Sequence, residues 1–145
     1  VAGAGAGLPW AGPLAAALAH LGVRQAVLVC SFDGLDEVSL AAPTMVRVVR
    51  GEAYESRVWS PEEFGLAAVP LHAIKAADST ESAALIRGVL NGDDGPARRI
   101  VLANAAAALW AAESVKSLRE GVDRADASLK SGKARAVLEA LCHHE

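Results

Sequence analysis

Val27-Leu28-Val29-Cys30-Ser31-Phe32-Asp33-Gly34-Leu35-Asp36-Glu37 opens as an apolar run and closes on two adjacent carboxylates. The apolar half has the length and β-branched content of a buried strand. Asp33-Gly34 breaks it, because both residue types tolerate positive φ and so favour a turn. Beyond the turn, Asp36 and Glu37 would diverge on a regular strand or helix, whereas in a loop they can converge on one cation. Mg²⁺ suits such a pair, since it takes one or two carboxylates and leaves its other positions to waters and substrate phosphates. A solvated acidic loop is the competing reading of the same residues.

Upstream, Pro13 suits the first turn of a helix, and Leu14, Leu18 and Leu21 follow at helical spacing, closed by Gly22. Residues 1–13 are therefore read as a flexible lead-in and 14–145 as the domain. Gly3, Gly5 and Gly7 have neither a strand before them nor a helix directly after, so they belong to the lead-in rather than to a phosphate-cradling loop. Downstream, Val38 and Leu40 extend the loop or begin a short strand. Residues 45–49 and 54–59 are β-branched or aromatic around Arg50-Gly51-Glu52-Ala53, which predicts a hairpin. Ser60-Pro61-Glu62-Glu63 starts a helix that Gly65 keeps short.

The spacing then predicts an amphipathic helix over 78–91, capped by Ser79 or Thr80 and ended by Asn91-Gly92. A nearly all-apolar helix over 97–112 should lie buried. Two more helices follow, over 114–129 and 133–141. One long apolar strand amid helical material reads as part of a parallel sheet, whose remaining strands would come from outside this sequence. The fold class is α/β, with one main strand, a hairpin and several helices.

The 145 residues fit one domain, and 52% hydrophobic content with only 4% aromatics implies a core of Ala, Leu and Val. A net charge of −3, with both signs mixed, leaves no footprint for nucleic acid or an acidic membrane surface. No apolar stretch reaches the roughly 18–20 residues that span a bilayer. Cys30 and Cys142 have no motif spacing, which favours reduced thiols and a cytoplasmic protein. The first residue, Val1, is not Met, a hint of a longer or processed polypeptide.

Other chemistry-bearing residues are isolated. His20 lies near a helix end, His72 in a loop without an acidic neighbour, and His143-His144-Glu145 at the terminus. Lys133 follows Ser131-Gly132 but lacks the Gly-rich loop of a nucleotide site. Asn104 stands alone in the apolar helix, where a buried amide must find partners; tying the helix to a neighbouring loop is the reading.

Taken in order, Asp33 to Leu40, Ser60-Pro61-Glu62-Glu63-Phe64-Gly65-Leu66, Gly88-Val89-Leu90-Asn91-Gly92, Leu102-Ala103-Asn104-Ala105-Ala106-Ala107-Ala108-Leu109, Glu120-Gly121 and Ser131-Gly132-Lys133-Ala134 resemble the anthranilate phosphoribosyltransferases. The resemblance runs from about Leu14 to Leu141. It implies the C-terminal part of the larger domain of a phosphoribosyltransferase/nucleoside-phosphorylase-like fold. It implies transfer of a phosphoribosyl group from phosphoribosyl pyrophosphate to anthranilate in tryptophan biosynthesis. It implies Mg²⁺ held by Asp36 and Glu37, and a homodimer of the whole protein. The family's pyrophosphate loop, its Lys-His-Gly-Asn segment and its anthranilate-contacting Arg lie upstream of the matched region. The substrate-binding residues are thus expected in a missing N-terminal part, and the isolated chain is expected to be inactive.

The sequence also departs from the family pattern. Cys30-Ser31 stands for the family's His-Gly, Ala76-Ala77 for its Gly-Gly, Glu81-Ser82-Ala83 for its Glu-Asn-Ala, and Arg98-Arg99 for its Arg-Asp. A non-catalytic binding or scaffold paralogue is the alternative these changes leave open, with the pyrimidine nucleoside phosphorylases, which lack the Asp-Glu motif, behind it.

Overall fold

The computed structural model describes residues 8–142, so Gly3, Gly5, Gly7 and the terminal His143-His144-Glu145 lie outside the described residues. The order is α1 (Leu8–His20), β1 (Gln25–Ser31), β2 (Thr44–Arg50), β3 (Ala53–Trp59), two short 3₁₀ turns (Pro61–Phe64 and Leu71–Ile74), then α2 (Ser79–Asn91), α3 (Pro96–Ala111), α4 (Leu118–Lys130) and α5 (Lys133–Cys142). No helix of the described residues is long and apolar enough to cross a membrane.

The sheet is antiparallel throughout, in the order β1-β2-β3. That corrects the parallel reading of β1, and the reason is burial. Along β1, Val27 and Val29 face one way and pack with Val46 and Val48 against the helical layer of α3 and α4. Ala26 and Leu28 face the other way and meet Ala15, Ala19 and Val49 beneath α1. A strand covered on both faces is apolar at every position whatever its direction. Among the described residues the outer edge of β1 has no strand beside it, in keeping with a sheet that continues elsewhere. The hairpin is as expected, with Arg50 opposite Ala53 across Gly51-Glu52. Gly51 takes a φ of 58°, which a two-residue connection needs.

Helix α1 begins at Leu8, so Pro13 sits inside it rather than in its first turn, and 8–13 are not a lead-in. Pro13 has no N–H to give the carbonyl four residues back. The helix persists because its docking stripe starts earlier: Ala11 packs on Cys30 and Met45, and Ala15 and Ala19 continue the row. This stripe is alanine, not leucine. Leu14 and Leu21 stay 51% and 75% exposed, while the small Ala side chains let the helix lie close on the sheet.

Two further expectations shift. Asp78, not Ser79 or Thr80, caps α2: its carboxylate accepts from the Glu81 N–H at 2.8 Å, and Glu81 reaches back to the Ala77 N–H. Helix α3 buries one stripe (Arg98, Leu102, Ala103, Ala106 and Ala107) rather than its whole girth. Across that stripe runs α4, so close that a Cβ on Gly121 would lie 2.9 Å from the Ala106 Cα. Only a glycine lets the two backbones approach this far. The Ser60-Glu63 pair opens a single 3₁₀ turn, stopped as expected at Gly65.

Candidate functional site

Residues 32–43 join β1 to β2, and they form a tied loop rather than a free one. Gly34 turns the chain at φ 98°. Asp33 acts as the anchor: its Oδ1 accepts the Leu35 N–H at 3.2 Å, and its Oδ2 accepts the Ser39 hydroxyl at 2.6 Å. Burial pushes the Asp33 carboxyl up, but the Ser39 hydroxyl and the Leu35 N–H outweigh it and hold the group below its ordinary value. The Ser31 N–H donates to the Leu35 carbonyl, and the Phe32 N–H to the Pro43 carbonyl, closing the loop at its base.

The second half of the loop is buried without being a strand. Val38, Ser39 and Leu40 are almost fully enclosed, and Val38 and Leu40 enter the main core. Buried main-chain groups must then be satisfied one by one. Thr44 Oγ1 accepts the Ser39 N–H, and the Leu40 carbonyl accepts the Val69 N–H. Asn104 on α3 does the rest. Its Oδ1 accepts the Val38 N–H at 2.9 Å, and its Nδ2 donates to the Val38 carbonyl at 3.0 Å and to the Ile100 carbonyl at 3.1 Å. The expected tie from helix to loop is therefore present, and it lands one residue beyond Glu37.

Asp36 and Glu37 project from this loop into solvent. Among the described residues neither has an ion-pair partner. Partial burial, and then the neighbouring Asp36 charge, push the Glu37 carboxyl above its ordinary value. Two adjacent carboxylates without a counter-charge are a donor set that a cation would relieve. No third His, Cys, Asp or Glu among the described residues completes a cluster with them; two carboxylates are what Mg²⁺ uses when phosphates supply the rest.

The remaining sequence candidates lie on other elements. His20 ends α1, His72 sits in the 3₁₀ turn Leu71–Ile74, and Lys133 opens α5, all exposed. Sequence reasoning missed Asp33 as an anchor, although a Ser six residues after an Asp-Gly turn was there to be noticed. It also missed Arg98, which is 8% exposed and pairs with Asp126 of α4 at 2.5 Å; an arginine at the head of an apolar helix was its signal.

A profile of the glycosyl transferase family, a/b domain, matches residues 8–135. The chain belongs to this family. Among similar glycosyl transferases is the anthranilate phosphoribosyltransferase of Symbiobacterium thermophilum, 47% identical over 130 residues that make up 89% of this chain and 38% of that relative. The crystal structure of anthranilate phosphoribosyltransferase from Thermus thermophilus superposes with a TM-score of 0.77 at 38% identity, covering 91% of this chain and 39% of that one. The Saccharomyces cerevisiae anthranilate phosphoribosyltransferase, solved in complex with PRPP and Mg, gives 0.72 at 27% identity, over 79% of this chain and 33% of that one. The chain thus spans about two fifths of the relatives it matches (38% in the first). The motif series from 33 to 134 led to the same family.

Proposed function

We propose that this chain is the C-terminal part of the α/β domain of an anthranilate phosphoribosyltransferase and that Asp36 and Glu37 contribute its carboxylate ligands to Mg²⁺. In the reaction a bond forms between the anthranilate nitrogen and the ribose carbon as the bond from that carbon to pyrophosphate breaks. Bound Mg²⁺ would supply positive charge to the departing pyrophosphate. The observation that carries the reading is the acidic loop itself. The loop around the pair is tied by hydrogen bonds at Asp33, Leu35, Val38 and Ser39, while among the described residues the two carboxylates have no ion-pair partner. The open edge of β1 supports a fold completed by the part that relatives carry beyond this chain. A cytoplasmic setting goes with it, since Cys30 and Cys142 are both free thiols. The homodimer belongs to the same proposal and is checked by light scattering on the completed enzyme.

The test is complementation. The chain is co-expressed with the N-terminal part of a relative, and the purified complex is assayed with anthranilate, phosphoribosyl pyrophosphate and Mg²⁺. Turnover that neither part gives alone is the expected result. A stable complex without turnover would reject the enzymatic reading and favour the scaffold alternative.

A further inference from the structure

We propose that Asn104 is a positioning residue for the acidic pair, holding Asp36 and Glu37 together against their mutual repulsion so that they can share one cation. The inference rests on the metal reading of those two residues and adds a residue far along the chain to it. Among the described residues, Asp36 and Glu37 make no hydrogen bond through main chain or side chain. The segment is held instead at its two ends.

On the upstream side, Leu35 is fixed twice: its N–H by Asp33 Oδ1 and its carbonyl by the Ser31 N–H. On the downstream side, Val38 is fixed by both of its main-chain groups, through one side chain, Asn104. A primary amide pairing with N–H and C=O of one residue copies the way neighbouring strands pair. It therefore sets the direction of the peptide that leaves Glu37. The Val38 side chain, fully enclosed in the core, pins the same point from the other face.

The amide is itself steadied. Its third bond goes to the Ile100 carbonyl one turn back on its own helix, and α3 is held in place by the close approach of Gly121 to Ala106. Without the Asn104 amide the loop has an inexpensive way to relax. Two adjacent like charges separate, and on the downstream side only the packing of the Val38 side chain still opposes it. A ligand pair whose spacing is set by an outer hydrogen-bonding partner loses about 10- to 100-fold in metal affinity when that partner is removed.

The probe is Mn²⁺, titrated into the 145-residue chain while broadening of the backbone amide signals of residues 35–39 is followed by NMR, with thermal melting measured in parallel. Asp36→Asn with Glu37→Gln should abolish the local broadening. Asn104→Ala should need at least about 10-fold more Mn²⁺ for the same broadening. Asn104→Asp keeps an acceptor for the Val38 N–H and loses both donated bonds; it should fall between wild type and Asn104→Ala, and it stands in if the Ala variant does not fold. Val49→Ala is the control, since it destabilises the chain by opening a cavity beneath α1, at the end of β2 away from the loop; its Mn²⁺ titration should match wild type. If the Asn104 variants melt early yet titrate as wild type does, Asn104 is a structural tie only and the proposal is overturned while the metal reading stands. If the Asp36/Glu37 double variant still broadens, the metal reading falls and this inference with it.

Discussion

In the completed enzyme, changing Asp36→Asn and Glu37→Gln together cuts turnover by two to three orders of magnitude and leaves the fold intact. The size follows from the charge stabilisation a bound cation gives a phosphate leaving group, several kcal/mol, with each ~1.4 kcal/mol worth tenfold in rate. The fold is spared because neither side chain has a partner to lose. The stability change can be signed from Glu37. Its folded-state pKa is raised, so the folded chain holds its proton more tightly than the unfolded one, and stability is lost as pH rises from the ordinary value of 4.5 through the folded value. Above the folded value that cost is present in full. Glu37→Gln removes it, and the variant should melt at the same temperature as wild type or slightly higher. Steady-state assays over a range of Mg²⁺, with calorimetry beside them, separate the two effects. Unchanged turnover at saturating substrate would mean that the pair holds no functional metal.

The second large effect concerns stability alone. Asp126→Ala should cost about 3 kcal/mol, because it leaves the Arg98 guanidinium charged and enclosed without a counter-ion. Asp126 accepts from Arg98 Nη2 at 2.5 Å and from Lys130 Nζ at 2.6 Å. Arg98 Nη1 is already buried without a hydrogen-bond partner among the described residues. The hydrogen bond from Lys130 and then that from Arg98 hold the Asp126 carboxyl below its ordinary value of 3.8. A depressed carboxylate contributes stability that is whole above that value and is lost as pH falls through the lower, folded one. Melting curves for wild type and Asp126→Ala should therefore stand well apart at neutral pH and begin to converge only as the pH falls below 3.8. A gap that stays constant down to acid pH would show that the pair does not act through its charge.

These residues also mark where the sequence was transparent. The hairpin was legible because β-branched runs flank a glycine that the turn requires, and both signals are local. The acidic pair was legible because two carboxylates after a turn stand out in an apolar chain. Asn104 was half legible: a lone amide in an alanine-rich helix announces a tie, but nothing local says that its partner is Val38. The start of α1 was misjudged because Pro13 is a strong local signal, whereas the Ala11, Ala15 and Ala19 stripe that overrules it acts through packing on a sheet. Strand direction in β1 was hidden for a related reason. Cover on two faces erases the alternation from which an antiparallel strand is usually recognised. Arg98 and Asp126 are 28 residues apart, and only the crossing of α3 and α4 makes them neighbours.

The bond between Val38 and Asn104 spans 66 positions of sequence. During synthesis the acidic turn emerges well before the helix that shapes it, so its two carboxylates stay loosely arranged until α3 docks. Closing so long a segment carries an entropy cost, and the bond cannot form before α3 has docked. In the native chain the Val38 amide should exchange its hydrogen only when α3 opens, with the protection of the α3 amides rather than that of a surface loop. Rapid exchange at Val38 beside slow exchange along α3 would mean that the turn matures without its distant partner.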